Sequence, residues 1–417
     1  MYSRWIENRI IEAIESPFVN IIFGARQTGK STLLKKIIST PDIWLDFSNP
    51  SDKAQYLHYP ELLIQQCKAI PKSRVPALIV IDEAQLVPSV FDSVQNLYDS
   101  DKERWKFVLC GSSARKIRMS SANFLPGRSM LHILLPLLKA ERPPAETQKK
   151  AESKNYSPLP FIFHNNKEPE NLFPCASLVE RLAFGELPGI ACASLNLRNE
   201  LLKTYSLVYI EEEIRREASI KNLSAFSKFT QLSAIESGNI INYARLAKDS
   251  GVSIPTIKSY FQLLEEMFII FRIPAFSGSS RKKLLSTEKY IFFDLGVRHA
   301  SAGLRCSEDT VLANPGSLFE QWVGLELLKR IKYSGEGALS YMRTASGIEI
   351  DYILELNNRY IPIEVKWTEH PDKNDTKHID NFIKEHKKVS DRGFVICRCK
   401  YPMELSPDIL AIPWSYL

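Results

Sequence analysis

Over the first 140 residues, short apolar runs alternate with segments in which apolar residues recur at helical spacing. The short runs are nearly continuous in apolar residues, which is typical of strands buried on both faces of a sheet. Strands that alternate with helices predict an α/β fold in which helices cover a parallel sheet. The predicted strands are 18–23, 43–47, 77–81, 105–110 and 131–135. The predicted helices are an amphipathic one within 1–16, followed by 31–39, 61–69 and 90–98.

Both periodicities disappear between residues 141 and 174, where six prolines interrupt a charged stretch. Such a stretch is typical of a linker or of a long surface excursion. From 176 to about 276 the pattern is mostly helical, with two helices at 243–250 and 254–266 joined by Gly251-Val252-Ser253. A strand predicted at 267–273 follows them, and this order is typical of a winged helix-turn-helix.

The last part of the chain begins after Asn314-Pro315-Gly316 and mixes helix and strand patterns. It predicts a helix at 317–331, strands at 339–343, 349–356 and 360–367, a helix at 379–389 and a strand at 393–399. We therefore predict an α/β unit at 1–140, a proline-rich linker or excursion at 141–175, a helical, winged-helix-like domain at 176–305 and a second α/β domain at 306–417.

Composition narrows the class of protein only slightly. The chain has 417 residues, 44% of them hydrophobic and 24% charged, which excludes a disordered or fibrous chain. A net charge of +6 permits a nucleic-acid partner without arguing for one. The seven cysteines form no CxxC pair, and no apolar run approaches the roughly 18–20 residues of a membrane span. We expect a cytoplasmic protein that has reduced thiols and no membrane partner.

Gly24-Ala25-Arg26-Gln27-Thr28-Gly29-Lys30-Ser31 matches the phosphate-binding pattern GxxxxGK[ST] at every fixed position. It follows an apolar strand and opens a helix, so successive backbone N–H groups and the helix N-terminus can surround phosphates. Lys30 would reach the β- and γ-phosphates, and Ser31 would hold Mg²⁺. A glycine-rich turn without chemistry is the alternative. The predicted ATP-binding residues are Gly24, Ala25, Arg26, Gln27, Thr28, Gly29, Lys30, Ser31 and Thr32.

Acidic and polar residues end two other strands of the predicted sheet. Asp82 follows four apolar residues and would hold Mg²⁺, while Glu83 would take a proton from the attacking water. Ser112 would sense the γ-phosphate or orient water, or else cap the next segment. Arg128 is either a phosphate contact, in its own subunit or in a neighbouring copy, or a surface arginine. A homo-oligomer therefore stays open.

These segments resemble the prokaryotic AAA-type ATPases that carry a C-terminal domain of unknown function. The resemblance implies a P-loop NTPase domain, ATP binding and ATP hydrolysis with Mg²⁺, and the proline-rich stretch looks longer than the connection usual in that family. It rests on Phe23–Ser31, Ile81-Asp82-Glu83-Ala84-Gln85, Gly111-Ser112-Ser113-Ala114, Gly127-Arg128, Gly185-Glu186-Leu187-Pro188, Phe319-Glu320 and Pro362-Ile363-Glu364-Val365-Lys366.

Near the C-terminus, Asn357-Asn358 is a plausible two-residue hairpin turn between two strand patterns. Such a turn places Asp351 opposite Glu364, with their Cβ atoms roughly 4.5–5.5 Å apart. Glu364 and Lys366 share a face because strand side chains alternate. Two carboxylates and an ammonium on one surface are typical of an Mg²⁺ site that activates water. Pro362 fits an edge position or a bulge, which would shift the register.

This segment resembles the PD-(D/E)XK nucleases through Asp351, through Glu364-Val365-Lys366 and through Glu320 on the preceding helix. The resemblance implies metal ligation by Asp351, Glu364 and Glu320, and catalysis by Asp351, Glu364 and Lys366. The alternatives are an inactive nuclease fold kept for binding and a salt-bridged surface hairpin.

The functional hypothesis is an ATPase that couples its nucleotide state to DNA binding or processing. The alternative is a non-cutting, ATP-switched regulator that binds DNA or protein. Basic residues near the helix-turn-helix pattern either neutralise phosphates or form a solvated face, and Tyr260 and Phe261 are expected in the core. The basic residues are Lys248, Lys258, Arg272 and Arg281-Lys282-Lys283.

Overall fold

The first part of the chain forms a five-stranded sheet in which all neighbouring strands are parallel. The computed structural model describes residues 1–112, 125–145, 171–210, 222–277, 287–344 and 347–417. The strands are β1 (Val19–Phe23), β2 (Ile43–Asp46), β3 (Ala77–Asp82), β4 (Trp105–Gly111) and β5 (Ser129–Ile133), in the order β2-β3-β4-β1-β5. The predicted parallel α/β sheet is confirmed, and β5 begins two residues earlier than expected.

Five helices accompany this sheet in the described ranges, and one of them was not predicted. They are α1 (Glu7–Glu15), α2 (Lys30–Ile37), α3 (Pro50–His58), α4 (Leu62–Ala69) and α5 (Val90–Ser100). The unpredicted helix is α3, which begins after an N-cap in which the Asn49 side chain accepts a hydrogen bond from Ser51 N–H. Only Tyr56 of this helix is buried, so its sequence lacks the apolar stripe that indicates a packed helix.

The two ends of the proline-rich stretch lie side by side. Ala145 N–H donates to Ala176 O over 3.1 Å, and Phe173 N–H donates to Glu141 O over 2.9 Å. Pro144 and Ala176 form a parallel bridge. The chain thus leaves this place and returns to it, and residues 146–170 lie outside the described ranges.

The middle part is mainly helical. The helices predicted at 243–250 and 254–266 are present, and the two strands that follow them pair antiparallel. Tyr260 and Phe261 are buried, as expected. The elements are α6 (Leu178–Phe184), α7 (Pro188–Cys192), α8 (Leu195–Thr204), a π-helical turn (Tyr205–Ile210), α9 (Leu223–Ile235), α10 (Tyr243–Ser250), α11 (Ile254–Glu266), β6 (Ile270–Pro274), β7 (Glu288–Phe292), α12 (Leu295–Ser301) and α13 (Glu308–Ala313).

The last part is a six-stranded mixed sheet with a long helix before it. The elements are α14 (Pro315–Ser334), β8 (Ala338–Arg343), β9 (Glu349–Leu356), β10 (Arg359–Val365), α15 (Lys377–Glu385), β11 (Gly393–Cys397), β12 (Met403–Ser406) and β13 (Ile409–Pro413). Strands β8, β9 and β10 form an antiparallel meander, and β10, β11 and β13 are parallel. Strands β12 and β13 were not predicted.

Helix α14 connects the last part to the first sheet. It is 20 residues long and buries the charged side chains of Glu326, Lys329 and Arg330. One hydrophobic core runs from Trp5 and the β1 strand through the middle part to Phe394. Among the described residues, no helix combines the length and the apolar character needed to cross a membrane.

Candidate nucleotide site and C-terminal carboxylate cluster

The phosphate-binding motif forms the turn that joins β1 to α2. Gly29 is the residue before the helix and has φ +93°, a left-handed conformation that strains any residue with a Cβ atom. Thr28 is fully buried, and its Oγ1 donates to Ala25 O over 2.9 Å. The turn is therefore closed by its own side chain.

Three further side chains hold the carbonyl groups of this turn. Arg4 Nη1 donates to Thr28 O over 2.7 Å, and Tyr205 Oη donates to Arg26 O over 3.0 Å. Lys30 Nζ donates to Gly24 O over 2.8 Å and to Ala25 O over 3.0 Å. Because Tyr205 belongs to the middle part, the loop is held by two parts of the chain.

A cleft of about 750 Å³ opens in front of this turn. Ligand pockets for cofactors and drug-sized molecules typically measure about 300–1,000 Å³, so a nucleotide fits by size. Six of the nine predicted binding residues line the cleft, and the other three, Gly24, Ala25 and Thr28, are not among its lining residues. The lining residues are Arg26, Gln27, Gly29, Lys30, Ser31 and Thr32 on one side, with Phe47, Ser48, Pro50, Lys53, Glu83 and Leu86 around the rest.

Asp82 and Glu83 lie where β3 ends. Asp82 is buried, and its Oδ1 accepts from Glu83 N–H over 2.9 Å and from the Cys110 thiol over 2.6 Å. Burial and the Asp82 carboxylate raise the pKa of the Cys110 thiol well above its usual value, so it stays protonated as the donor. Glu83 has φ +52°, a left-handed strain that typically costs on the order of 1–3 kcal/mol and is common at functional sites.

Gln85 joins the end of β3 to the end of β4. Its Nε2 donates to Glu83 Oε2 over 2.5 Å and to Ser112 Oγ over 3.0 Å. Gly111 permits this arrangement, because a Cβ at that position would lie 2.2 Å from Gln85 Oε1. Ser112 is thus placed beside Glu83, while Ser113 and Ala114 lie outside the described residues.

Arg128 lies at the other end of the sheet. Its carbonyl accepts from Val19 N–H, at the start of β1, whereas the phosphate-binding turn follows the end of β1. Its side chain is paired with Asp99 at 2.6 Å. The idea that Arg128 contacts phosphate within its own subunit is therefore wrong. Arg128 is instead a surface arginine that is paired with Asp99, which agrees with the alternative interpretation.

The C-terminal hairpin has the predicted turn. Asn357 and Asn358 have φ +49° and +61°, as a two-residue hairpin turn with left-handed central residues requires. The pairs run without a shift from Arg359 with Leu356 to Ile363 with Tyr352, so the predicted register is confirmed.

Of the two expectations for Pro362, the bulge is wrong, whereas an edge position holds locally because β11 does not yet pair with β10 at this residue. Pro362 pairs with Ile353 inside a strand that has neighbours on both sides. Tyr360 N–H points away from β9 to Val389 O, and the Pro362 nitrogen points the same way by alternation. Pairing with β11 begins only at Ile363, so no hydrogen bond is lost at the proline.

Asp351, Glu364 and Lys366 lie close together on this hairpin. Val365 N–H donates to Asp351 Oδ2 over 2.8 Å, and Lys366 Nζ lies 3.1 Å from Glu364 Oε2. Burial, followed by the charge of Asp351, raises the pKa of Glu364 to about 8. Burial also raises the pKa of Asp351. The negative charge of Asp351 therefore opposes the ionisation of Glu364.

Glu320 joins this group from α14. The Tyr352 hydroxyl donates to Glu320 O over 2.9 Å, which fixes the helix against β9. Burial and the charge of Asp351 raise the pKa of Glu320 to about 7. Lys289 Nζ lies 3.2 Å from Glu320 Oε1, and His378 Nδ1 lies 3.9 Å from Glu364 Oε1. We call Glu320, Glu349, Asp351 and Glu364 the carboxylate cluster.

The carboxylate cluster is not arranged as a finished metal centre. Within the described ranges, no three His, Cys, Asp or Glu side chains are placed to hold a metal ion together. Lysines reach Glu320 and Glu364, where the sequence predicts metal ligands. At the nucleotide cleft, the Ser31 hydroxyl and the Asp82 carboxylate are hard oxygen donors that suit Mg²⁺, which keeps several water ligands of its own.

Comparisons with known proteins match three segments of the chain to family models. Residues 16–142 match the family model of an AAA domain. Residues 175–308 and 315–417 match domains of unknown function, DUF8612 and DUF4143. The chain therefore carries an AAA-type domain and a C-terminal domain of unknown function.

Relatives cover most of the chain. An uncharacterized protein of Haemophilus influenzae is 20% identical over 404 residues, 92% of this chain and 91% of its own length. Uncharacterized proteins of Mycobacterium bovis and Mycobacterium tuberculosis are 23% identical over 366 residues, 87% of this chain and 73% of theirs. The match to the crystal structure of protein VC1899 from Vibrio cholerae covers 91% of this chain and 88% of that chain at 12% identity, with a TM-score of 0.16.

Several residues of the two sites were not predicted from the sequence. Lys53 lines the nucleotide cleft from α3, whose helical character the sequence hides. Arg4, Cys110, Tyr205 and Lys289 act through contacts between segments that are distant in sequence. Of these four residues, Cys110 carries a local signal, because it ends the strand predicted at 105–110 and the ends of parallel strands meet at one edge of a sheet.

Replacing the Tyr205 hydroxyl tests whether the middle part supports the AAA phosphate-binding turn. Tyr205→Phe keeps the buried ring but removes the hydrogen bond to Arg26 O. We expect about a 3- to 10-fold loss of ATP affinity, since a hydrogen bond contributes about 1 kcal/mol. Titration with a fluorescent ATP analogue measures the loss. Tyr243→Phe, which removes a hydroxyl bonded to Glu288, is the control. Equal affinities in the two variants would contradict the expectation.

The raised pKa values in the carboxylate cluster predict a pH dependence of stability. A carboxyl group that is protonated in the folded protein stabilises it below its unfolded pKa, and this contribution is lost as pH rises through the folded pKa. For Glu364 the window runs from about 4.5 to about 8. Glu364→Gln should flatten the fall in melting temperature across that window by at least about 2 °C. Glu404→Gln, at an exposed strand position, should leave the slope unchanged.

Proposed function

We propose that this protein hydrolyses ATP in the cleft between the phosphate-binding turn, α3 and the end of β3. The observation that carries the proposal is the position of Glu83, which lines the same cleft as Lys30 and Ser31. A nucleotide whose phosphates meet Lys30 would thus have a carboxylate within the same cleft. The match of residues 16–142 to an AAA domain supports the same activity.

Each group of this cleft has a chemical role in the proposal. Lys30 binds the β- and γ-phosphates, and it leaves the carbonyls of Gly24 and Ala25 to do so. Ser31 and Asp82 would hold Mg²⁺, which neutralises phosphate charge when bound. Glu83 accepts the proton of the attacking water. Gln85 orients Glu83 by a hydrogen bond, and the same amide group also binds the Ser112 hydroxyl.

The nucleotide state would reach the rest of the chain through the phosphate-binding turn. Tyr205 contacts Arg26, and Pro188 lies 3.9 Å from the place of a Cβ at Gly29. Next to Pro188, Glu186 O accepts from Leu137 N–H over 2.8 Å. A movement of the turn upon phosphate binding would therefore displace Tyr205 and Pro188, which belong to the middle part.

Substitutions in the cleft test the proposal. Lys30→Ala should abolish ATP binding, measured by calorimetry with Mg-ATP, while Lys68→Ala, at an exposed position of α4, should bind normally. Glu83→Gln should retain binding and lose about 10²-fold or more in turnover, because the proton acceptor is removed. Normal turnover in Glu83→Gln would exclude Glu83 as the base. Absence of any heat in the wild type would exclude the function itself.

A second candidate function concerns the C-terminal part, and the order α14–β8–β9–β10–α15–β11 favours it. This order of one helix, three antiparallel strands, a helix and a parallel strand, together with Asp351, Glu364 and Lys366, supports a nuclease-like domain of the PD-(D/E)XK type. The division at 1–140, 141–175, 176–305 and 306–417 is part of this proposal, with α10, α11, β6 and β7 as the winged-helix element.

The charges of the winged-helix element give DNA binding limited support. Lys248 and Lys258 are exposed and lie on α10 and α11. Arg272 is paired with Glu288 at 3.1 Å and with Glu265 at 3.8 Å, so its charge is neutralised within the protein. Residues 281–283 lie outside the described ranges. The rival within this proposal is therefore a regulator with an inactive nuclease fold.

Plasmid nicking with Mg²⁺ and ATP separates cutting from regulation. If the cluster cuts DNA, Lys366→Ala should reduce nicking by about 10²-fold or more, since Lys366 is the ammonium that steadies developing negative charge. Lys388→Ala, at an exposed position, should nick as the wild type does. Equal nicking by the wild type and Lys366→Ala would eliminate the nuclease and leave the ATP-switched regulator.

A further inference from the structure

Outside the nucleotide cleft, the side chain of Lys289 extends from the middle part into the carboxylate cluster. Its side chain extends from β7, and its Nζ lies 3.2 Å from Glu320 Oε1 and 3.8 Å from Glu349 Oε1. The Tyr341 ring centre is 5.0 Å from the same ammonium. Only 4% of the residue is exposed. It is thus a buried cation that contacts the carboxylates of another part of the chain.

The backbone leaves Lys289 little freedom to move. Lys289 pairs with Ile273 of β6 on one side and forms a bridge with Ile240 on the other. The neighbouring Glu288 O accepts from Ile241 N–H over 3.1 Å. A buried ammonium is costly unless it is paired, so its place at Glu320 is a built feature of the fold.

Lys366, the other lysine of the cluster, is different. It is on the hairpin itself, its side chain is 39% exposed, and it contacts Glu364. Lys366 can therefore meet a substrate from solvent, whereas Lys289 acts only on the carboxylates. The charge of Lys289 also lowers the pKa of both Glu320 and Asp351, against the effect of their burial.

We propose that Lys289 is the resident cation of the carboxylate cluster, and that its ammonium supplies at Glu320 the positive charge that a divalent ion would otherwise bring. The folded cluster then takes up divalent ions only weakly while Lys289 is in place. The inference rests on the proposed nuclease-like site only in its choice of cluster. It does not depend on whether that site cuts DNA.

The proposal gives the middle part control over the C-terminal part. Lys289 belongs to the segment matched by one domain of unknown function, and Glu320 to the segment matched by another. Any rearrangement that withdraws β7 from the cluster would expose the carboxylates to a cation. Lys289 is accordingly a positioning residue, since it acts through the carboxylates and not on a substrate.

Binding of Mn²⁺ to the full chain, followed by electron paramagnetic resonance of the free ion, tests the proposal. All proteins carry Asp82→Asn, so that the nucleotide cleft contributes no metal signal. Lys289→Met keeps the length of the side chain and its contact with Tyr341 but removes the charge. We expect it to gain one Mn²⁺ site at least 10-fold tighter than any in the parent, and Glu320→Gln should remove that gain.

Lys377→Met is the matched control, because Lys377 is an exposed cation at the start of α15, which also carries His378 near Glu364. A gain of the same size in Lys377→Met would reduce the effect to general electrostatics and overturn the proposal. So would unchanged Mn²⁺ affinity in Lys289→Met. Lys289→Arg retains the charge and should bind Mn²⁺ as the parent does.

The parent protein gives a second test that needs no change at Lys289. Micromolar Mn²⁺ binding that disappears in Asp351→Asn would show a cation already seated beside Lys289, and the proposal would be wrong. Weak binding that Asp351→Asn leaves unchanged supports it. The nicking assay is independent of both titrations, so failure of the nuclease proposal and failure of this one are told apart.

Discussion

The structure depends on buried ion pairs made by one short segment, residues 134–142, which follows β5. Glu141 is fully buried and binds Arg4 at 2.9 Å, next to the phosphate-binding turn. Arg142 is fully buried and binds Glu186 of the middle part at 3.2 Å. Leu137 O accepts from Lys329 of α14 over 2.7 Å. A buried charge without its partner is strongly destabilising. The two ion pairs and the Lys329 hydrogen bond therefore fix all three parts around a single segment.

Such pairs specify a geometry more than they add stability, because desolvation of the charges offsets most of their attraction. The benefit here is positional. Arg4 contacts both Glu141 and the Thr28 carbonyl. The segment at 134–142, which orients helix α14, therefore also supports the phosphate-binding turn. Glu186 lies two residues before Pro188, which, like Arg4, approaches that turn at Gly29. A phosphate bound at the turn would therefore lie near residues whose positions the ion pairs already fix.

The sequence predicted what is encoded locally. Apolar periodicity located the five parallel strands, and Asn357-Asn358 set the register of the hairpin because a two-residue turn allows no other pairing. Helix α3 was missed because it buries a single tyrosine. Arg4, Tyr205 and Lys289 were missed for another reason. Each acts on a residue in a different element, and only the packed core decides which element lies nearby.

The two sites differ in how their charges are compensated. At the nucleotide cleft, Lys30 Nζ donates to the carbonyl groups of Gly24 and Ala25, which a bound phosphate would replace as acceptors. In the carboxylate cluster, Glu320 and Glu364 each have a lysine within 3.2 Å and 3.1 Å respectively. Each of these carboxylates is thus neutralised from within the protein. The lysine at Glu320 comes from the middle part, which also contacts the phosphate-binding turn through Tyr205, so one part of the chain touches both sites.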